Sequence, residues 1–201
     1  MCPRNSKQFE AIRSQSEQKI LDAALELFAI KGYGATSISQ IAKAAGVSKG
    51  LMYNYFEGKN ALLRKIIQHA IDDGKELMNH AVNDFEDPEE ELEHLVMDSI
   101  QYVKENIELM RLLTMLSFQT EVMESIIDLM EDSKKFSIEM GISVFSKLGA
   151  ENPMQSALLL GATLDGIALH FLHMKEEYPI DQMSKLVLQT FLDKNSIHRS
   201  K

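Results

Sequence analysis

Three helix starts fall within residues 37–62, whose sequence is SISQIAKAAGVSKGLMYNYFEGKNAL. Ser37 is followed three positions later by a glutamine, which is the spacing of a capping box, and Gly46 ends this first helix. Ser48 caps a second helix, and Lys59 opens a third. Because a helix of about two turns is not stable alone, the first two must be held by their neighbours. The stretch therefore predicts a compact helical unit in which two short helices cross at a tight turn.

Helical periodicity continues through the rest of the chain, without an alternating strand pattern. The helix before this stretch is expected to open near Ser14 or Ser16 and to end at Gly32. The later predicted helices cover about residues 59–82, 88–104, 107–118, 122–148, 153–174 and 181–193. The sequence thus predicts an all-α fold of about nine helices, with an N-terminal three-helix helix-turn-helix domain and a larger helical domain. The expected divisions are a flexible arm at 1–15, the two domains at 16–65 and 66–195, and a flexible tail at 196–201.

Charge is divided unevenly along the chain. Residues 1–69 hold ten basic and five acidic side chains, a net charge of +5, whereas residues 70–201 hold eleven basic and 25 acidic ones, a net charge of -14. The overall charge of -9 therefore conceals a basic N-terminal third. Because phosphates attract Lys and Arg, this asymmetry favours an anion-binding surface in that third.

The polar opening MCPRNSKQFEAIRSQS lacks the apolar stretch of a signal peptide. No run of residues approaches the ~18 apolar positions that span a bilayer. We therefore expect a cytoplasmic protein with no membrane partner. The single cysteine, Cys2, permits no intramolecular disulfide and indicates no thiol metal site.

The second short helix is expected to have one buried and one exposed side. At about 100° per residue, Met52 and Phe56 fall together on the side that packs against the preceding helices. The other side carries Gly50, Leu51, Tyr53 and Asn54. An outward leucine and tyrosine on so short a helix suit a recognition helix that enters the major groove of DNA.

Residues 36–62 follow the pattern T-S-x-x-x-I-A-x-x-A-G-V-S-x-G-x-x-Y-x-Y-F-x-x-K-x-x-L. This pattern resembles the DNA-binding signature of the TetR family of bacterial transcriptional regulators, and the preceding LFAIKGYGATS is similar to that family's lead-in. The resemblance covers about residues 16–65. The rest of the chain is similar only in helix count, length and the LDG of residues 164–166.

The resemblance implies roles for individual positions. Base contacts are expected from Lys49, Gly50, Leu51, Tyr53 and Asn54. Phosphate contacts are expected from Thr36, Ser37, Ser48, Tyr53, Tyr55 and Lys59. Lys49 is suited to a guanine edge, Asn54 to an adenine and Leu51 to a thymine methyl group. Tyr53 and Tyr55 have an alternative role, which is to pack the small domain.

The resemblance also implies C-terminal helices that form a homodimer and enclose a pocket for a small, often apolar effector. Ten of the twelve methionines follow residue 70, and a Met-lined cavity adapts to irregular apolar molecules. The expected pocket residues are Met110, Met115, Phe118, Met123 and Phe136. Alternatively, methionines at helical spacing fill the core.

Small residues within 153–174 predict the close approach of another helix. An internal glycine costs about 1 kcal/mol relative to alanine, so two of them in one helix indicate a packing reason. The expected dimer-interface residues are Ala157, Gly161, Leu164, Ala168, Leu186, Val187, Thr190 and Phe191. The alternative is a monomer that buries the same face internally.

No Gly-rich phosphate loop, nucleophile elbow or HExxH motif is present, and no catalytic residue, metal or cofactor is predicted. His170 and His173 share a helix with Asp165, but a metal site needs further ligands. The sequence therefore predicts a non-enzymatic repressor that binds a near-palindromic DNA operator as a homodimer and is released by a small apolar or amphipathic effector. Two alternatives remain open: a DNA-bound adaptor whose body binds a protein, and an all-helical enzyme that uses a cavity in the body.

Overall fold

The structure, a computed structural model, describes residues 6–83 and 85–198. Cys2, the start of the expected arm and residues 199–201 of the expected tail lie outside these residues. The helices are α1 (Ser6–Lys31), α2 (Ile38–Ala44), α3 (Lys49–Tyr55), α4 (Lys59–Asn83), α5 (Pro88–Glu105), α6 (Ile107–Leu116), α7 (Thr120–Glu124), α8 (Ile127–Lys147), α9 (Pro153–Met174) and α10 (Ile180–His198), with a 3₁₀ turn at Lys175–Glu177. The described residues contain no strand. The predicted all-α class is confirmed.

The helices form two compact units. The first unit comprises the chain up to His69 together with Arg111–Ile126, and the second comprises Ala70–Met110 and the chain from Ile127 onwards. The expected boundary near residue 65 assigned all of 111–126 to the C-terminal domain. In the structure this segment packs with the N-terminal helices instead, because Leu112, Leu116 and Ile126 are fully buried in the first unit.

Helix α1 begins earlier than the sequence analysis predicted. It starts at Ser6, so the expected start near Ser14 or Ser16 is wrong, and residues 6–15 of the expected arm are helical. The Ser16 hydroxyl does not cap the helix; it donates a hydrogen bond to the carbonyl of Ile12 (2.8 Å). Residues 8–15 are all exposed, so their two large apolar side chains, Phe9 and Ile12, belong to no buried face.

The predicted turns of the first unit are present. The Ser37 hydroxyl accepts from the Gln40 N–H (3.3 Å) and the Gln40 side chain accepts from the Ser37 N–H (2.8 Å), which completes the capping box. Gly32 and Gly46 end α1 and α2 with φ of 87° and 68°, values that L side chains rarely adopt. Helix α2 packs against both α1 and α3.

The single helix predicted over 122–148 is divided in two, which raises the count from nine to ten. At the break, the N–H groups of Ser125 and Ile126 bond to carbonyls three residues earlier, and Arg64 Nη1 donates to the Ser125 carbonyl (2.6 Å). The freed carbonyl is therefore satisfied by a side chain from α4, and Ile126 enters the core of the first unit.

The second unit is a helical bundle in which α8 packs along α9, and α5 contacts α8, α9 and α10. Its buried core includes Leu92, Val96, Phe145 and Leu160. Four methionines pack against this core, namely Met78, Met97, Met140 and Met183. Several methionines thus have the core-filling role that the sequence analysis kept as an alternative.

One ion pair in this unit has a buried carboxylate and a solvent-exposed ammonium group. Glu91, in the first turn of α5, is 2% exposed, and its Oε1 accepts a hydrogen bond from Lys147 Nζ at the end of α8. The Lys147 ammonium lies 3.4 Å from the Val82 carbonyl. Glu91 Oε2 has no hydrogen-bond partner within the described part of the chain. The pair joins α5 to α8, and it leaves one carboxylate oxygen unsatisfied.

Helix α9 meets the length and composition of a membrane-spanning helix, a criterion that a core helix of a water-soluble protein also meets. An 18-residue window within Pro153–Glu177 has a mean hydropathy of 1.4. Only 17% of the apolar window is buried within the protomer. The sequence analysis missed the segment because Gly, Ala, Ser and Thr interrupt its run of large apolar side chains.

Gly141 is the point of closest approach between α8 and α9. A Cβ at this position would lie 2.8 Å from Ala157 Cβ and 3.5 Å from Ala157 Cα. Because Ala157 has no flexible side chain that can move aside, we expect Gly141→Ala to lower the free energy of unfolding by about 1–3 kcal/mol. Urea unfolding followed by circular dichroism measures the change.

Gly74→Ala is the matched control, because nothing lies within 4 Å of a Cβ built there. This substitution in the interior of α4 is expected to raise the unfolding free energy by up to about 1 kcal/mol through helix propensity. Equal effects of the two substitutions would contradict the packing assigned to Gly141.

Candidate nucleic-acid interface and ligand cavity

Helix α3 is held in place by a cap at one end and a buried side. The Ser48 hydroxyl accepts a hydrogen bond from the Leu51 N–H (3.1 Å), and Phe56 is the C-cap residue. Met52 is 1% exposed and Phe56 is 7% exposed. Both side chains therefore lie on the packed side, as the helical spacing predicted.

The other side of α3 faces solvent. Lys49, Gly50, Tyr53 and Asn54 are exposed, and Leu51 is half-buried. Tyr53 exposes 52% of its surface although it is a large aromatic residue. The structure thus brings the expected base-contacting residues together on one short surface, and it gives no support to Tyr53 as a packing residue.

Thr36 does not fit its expected phosphate contact. Its side chain is 2% exposed, and its hydroxyl lies 2.9 Å from the Gly32 carbonyl and 3.2 Å from the Leu27 carbonyl. The hydroxyl donates to the end of α1, so it is not available to DNA. We correct the prediction: Thr36 fixes the turn between α1 and α2.

Lys59 is also engaged within the protein. Its Nζ donates to the Tyr33 carbonyl (2.8 Å) and lies 3.3 Å from the Gly34 carbonyl and 4.7 Å from the centre of the Tyr33 ring. The ammonium group has a third proton that can be donated to a phosphate. The phosphate contact of Lys59 therefore stays a prediction. Ser37 and Ser48 are exposed, and their hydroxyls accept cap hydrogen bonds while keeping a proton to donate.

Tyr55 reveals a contact that the sequence analysis missed. Tyr55 is half-buried, and the Arg13 guanidinium lies 5.8 Å from the centre of its ring. Arg13 is exposed on the part of α1 that had been expected to be a flexible arm. The early start of α1 therefore places a cation beside Tyr55 of α3. The sequence would have indicated this contact only if the true start of α1 had been predicted.

The second unit contains a cavity of about 280 Å³. Helices α4, α5, α8 and α9 supply most of its lining. The lining residues are Gly74, Leu77, Met78, Leu95, Ser99, Ile100, Tyr102, Val103, Met110, Ser137, Gly141, Ala157, Leu160, Gly161, Leu164, Asp165 and Ala168. Most of these are apolar or small, which is typical of sites for small apolar molecules.

Only Met110 of the five expected pocket residues lines this cavity. Met115, Phe118 and Met123 belong to the first unit, where Phe118 is 87% exposed. Phe136 lies on α8, and the Lys75 ammonium is 5.5 Å from the centre of its ring. The other four predictions are therefore wrong for this cavity. The residues missed include Leu77, Leu95 and Tyr102, which lie on α4 and α5.

Two titratable side chains line the cavity, Tyr102 and Asp165. Burial raises the pKa of Tyr102 to about 12, and the nearby Asp73 carboxylate adds to the rise. The Tyr102 hydroxyl lies 3.5 Å from the Ala70 carbonyl. Desolvation also raises the pKa of the Asp165 carboxyl.

The expected dimer-interface residues are divided between three environments. Val187 and Phe191 are 5% exposed and belong to the core of their own unit, so their assignment to an interface is corrected. Ala157, Gly161, Leu164 and Ala168 line the cavity, where Gly161 is exposed and the other three are half-buried. Leu186 and Thr190 are exposed on α10. A different apolar face of α9 is exposed, comprising Met154, Leu158, Leu159 and Leu169.

The comparison with protein families identifies the first unit. Residues 20–66 match the model described as bacterial regulatory proteins, tetR family. The uncharacterized HTH-type transcriptional regulator YuxN of Bacillus subtilis is 45% identical over 58 residues, which are 29% of this chain and 20% of YuxN. The chain thus matches about a fifth of the length of this curated relative.

Solved structures match over both units. FadR from Bacillus halodurans, a fatty acid degradation regulator, has a TM-score of 0.77 at 24% identity, covering 88% of this chain and 94% of FadR. FadR from Bacillus subtilis, crystallised in complex with stearoyl-CoA, has a TM-score of 0.75 at 19% identity, covering 88% of this chain and 98% of its own. At these identities the likeness shows a shared fold.

The role assigned to Thr36 is tested by Thr36→Val, which keeps the shape of the side chain and removes its donor. We expect a loss of about 1 kcal/mol in unfolding free energy, because two end-of-helix carbonyls lose their partner. Thr36→Ser retains the hydroxyl and is expected to lose less. If Thr36 instead contacts phosphate, the valine variant will unfold normally and bind duplex DNA of every sequence more weakly.

Proposed function

Because the protein belongs to the TetR family of bacterial regulatory proteins through its DNA-binding domain, we propose that it is a cytoplasmic, ligand-responsive transcriptional repressor. It binds a near-palindromic operator as a homodimer. A small apolar or amphipathic effector releases it from DNA. The protein is not an enzyme in this proposal, and its cavity serves binding alone.

The outward side of α3 is the observation that carries the proposal. Four of the five expected base-contacting residues are exposed there, while Met52 and Phe56 anchor the opposite side. Lys49 presents a cation to guanine acceptors, and Asn54 presents an amide that pairs with adenine. Gly50 permits close approach of the backbone, and Tyr53 reaches either a phosphate or a base edge. Two such helices about 34–36 Å apart would enter successive major grooves.

Helix α4 supports coupling between the cavity and DNA binding. It is continuous from Lys59, close after the recognition helix in sequence, to Gly74, Leu77 and Met78 in the cavity lining. Helix α6 likewise carries Met110 in the lining and Leu112 in the core of the first unit. A ligand that prefers one arrangement of these helices shifts the population towards it, by no more than its difference in affinity for the two states.

The exposed apolar face of α9 supports homodimerisation. Leu158 and Leu169 each expose about half of their surface, and Leu186 on α10 does so as well. Apolar patches of this kind on water-soluble proteins mark surfaces that another molecule covers. We assign the dimer contact to this face, together with Thr190, in place of the residues that line the cavity.

Selection of bound duplexes from a random DNA pool tests the proposal directly. The expected product is an inverted repeat whose half-sites lie about one helical turn apart. Failure to bind duplex DNA of any sequence at low ionic strength would remove the DNA-binding function. A single unrepeated site would retain DNA reading and contradict the homodimer.

Lys49→Ala is expected to weaken binding to the selected operator by about 5- to 150-fold, equivalent to the loss of about 1–3 kcal/mol for a base contact. Mobility shifts at fixed salt measure the change. Lys43→Ala is the matched control, because Lys43 is an equally exposed lysine on α2, outside the recognition helix. Equal losses in the two variants would indicate a general charge effect and contradict a base contact by Lys49.

Leu158→Asp is expected to weaken the homodimer by at least about 30-fold, as hot-spot residues contribute about 2 kcal/mol or more. A carboxylate buried in an apolar interface is the physical cause. Sedimentation velocity over a concentration series measures the association. Phe118→Asp is the control, because Phe118 is an exposed apolar residue of the first unit, whereas α9 belongs to the second. A dimer unchanged by Leu158→Asp would exclude this face.

A further inference from the structure

The cavity carries one carboxylate without a counter-charge. Among the described residues that line it, Asp165 is the only acid, and none is Lys, Arg or His. Asp165 has no hydrogen bond or ion pair with any described residue. It is also the only formally charged side chain within α9. A lone carboxylate on a helix without Lys or Arg lacks the usual compensation for a partly desolvated charge.

The position of Asp165 places this charge at the rim of the cavity. Gly161, Leu164 and Ala168 on the same helix line the cavity, whereas Leu158 and Leu169 lie on the exposed side. Asp165 lies between these two sides: it lines the cavity and also remains exposed. A molecule entering the apolar interior would therefore keep a polar end beside the carboxylate.

Two further groups make the surroundings suitable for a cation. The neutral Tyr102 phenol lines the cavity and offers an aromatic face and oxygen lone pairs. Asp73 acts on Tyr102 electrostatically and adds a second negative charge near the cavity. An anionic ligand such as stearoyl-CoA, which FadR from Bacillus subtilis binds, would meet these carboxylates without a cationic partner in the described lining.

We propose that the cavity takes a cationic amphiphile, a molecule with an apolar body and one protonated amine, and that Asp165 pairs with its ammonium group. The inference rests on the proposed function, in which this cavity is the effector site. Asp165 acts as the specificity determinant, and the apolar lining holds the body of the ligand. The ammonium group of the ligand donates hydrogen bonds to the Asp165 oxygens, while the apolar body of the ligand excludes water from the cavity.

Three probes that share a ten-carbon chain separate the effect of charge from apolar binding: decylammonium, decanoate and decanol. Each is titrated calorimetrically into the protein at neutral pH. At that pH the amine is protonated and the carboxylate is ionised. We expect decylammonium to bind at least about tenfold more tightly than decanoate, which corresponds to about 1.4 kcal/mol. Asp165→Asn is expected to weaken the binding of decylammonium by about tenfold and to leave the binding of decanol unchanged.

Asp132→Asn is the matched control. It removes the same charge from an exposed position on α8 in the same unit, outside the cavity lining, and is expected to keep the preference for the amine. Decanol binding without any preference for the amine would overturn this inference and leave the cavity as an effector site. A preference for decylammonium over decanoate that remains in the Asp165→Asn variant would also overturn the inference. If no probe binds, the effector role of the cavity fails together with the inference, and the separate operator assay shows whether DNA binding fails as well.

Discussion

The structure depends on how a helix of seven residues is kept folded with one side in water. Helix α3 is too short for its own hydrogen bonds to stabilise it, and burial of Met52 and Phe56 with the Ser48 cap replaces the missing length. Because the anchors are all on one side, the other side is free of packing requirements. Under the proposed function, its residues can change to read different DNA while the helix keeps its position. The remaining elements of the first unit, including the segment at 111–126, complete the core that makes this possible.

The sequence signature of this unit combines two kinds of residue. Ser48 and Thr36 hold turns and helix ends together, and the Lys59 ammonium is bound by carbonyls of the α1–α2 connection. Lys49 and Asn54 are exposed, and their side chains do not hold a turn or a helix end. A position in a DNA-binding motif can therefore be fixed by the architecture alone, and Thr36 is such a case.

Local features of the fold could be predicted from the sequence, and features that depend on distant residues could not. Ser37, Ser48 and the proline starts of α5 and α9 act through neighbours within four positions, so their helices were found nearly to the residue. The break before α8 depends on Arg64, which is 61 positions from Ser125. The cavity lining comes from helices far apart in sequence, so the methionine count selected Met110, which lines the cavity, together with Met115 and Met123, which belong to the first unit. The start of α1 was missed because residues 8–15 are polar apart from a few apolar side chains, and these make no buried face.

The contact between Glu91 and Lys147 has a consequence for how this protein can diverge. Replacement of Lys147 alone leaves the buried Glu91 carboxylate without its counter-charge and destabilises the bundle, whereas replacement of Glu91 alone leaves an ammonium group that solvent reaches. Simultaneous replacement by two apolar residues would be tolerated or even favourable, and it would also remove the unsatisfied oxygen of Glu91. Evolutionary drift at these two sites should therefore lose Glu91 first or both residues together, so that a variant with Glu91 but without Lys147 should be rare.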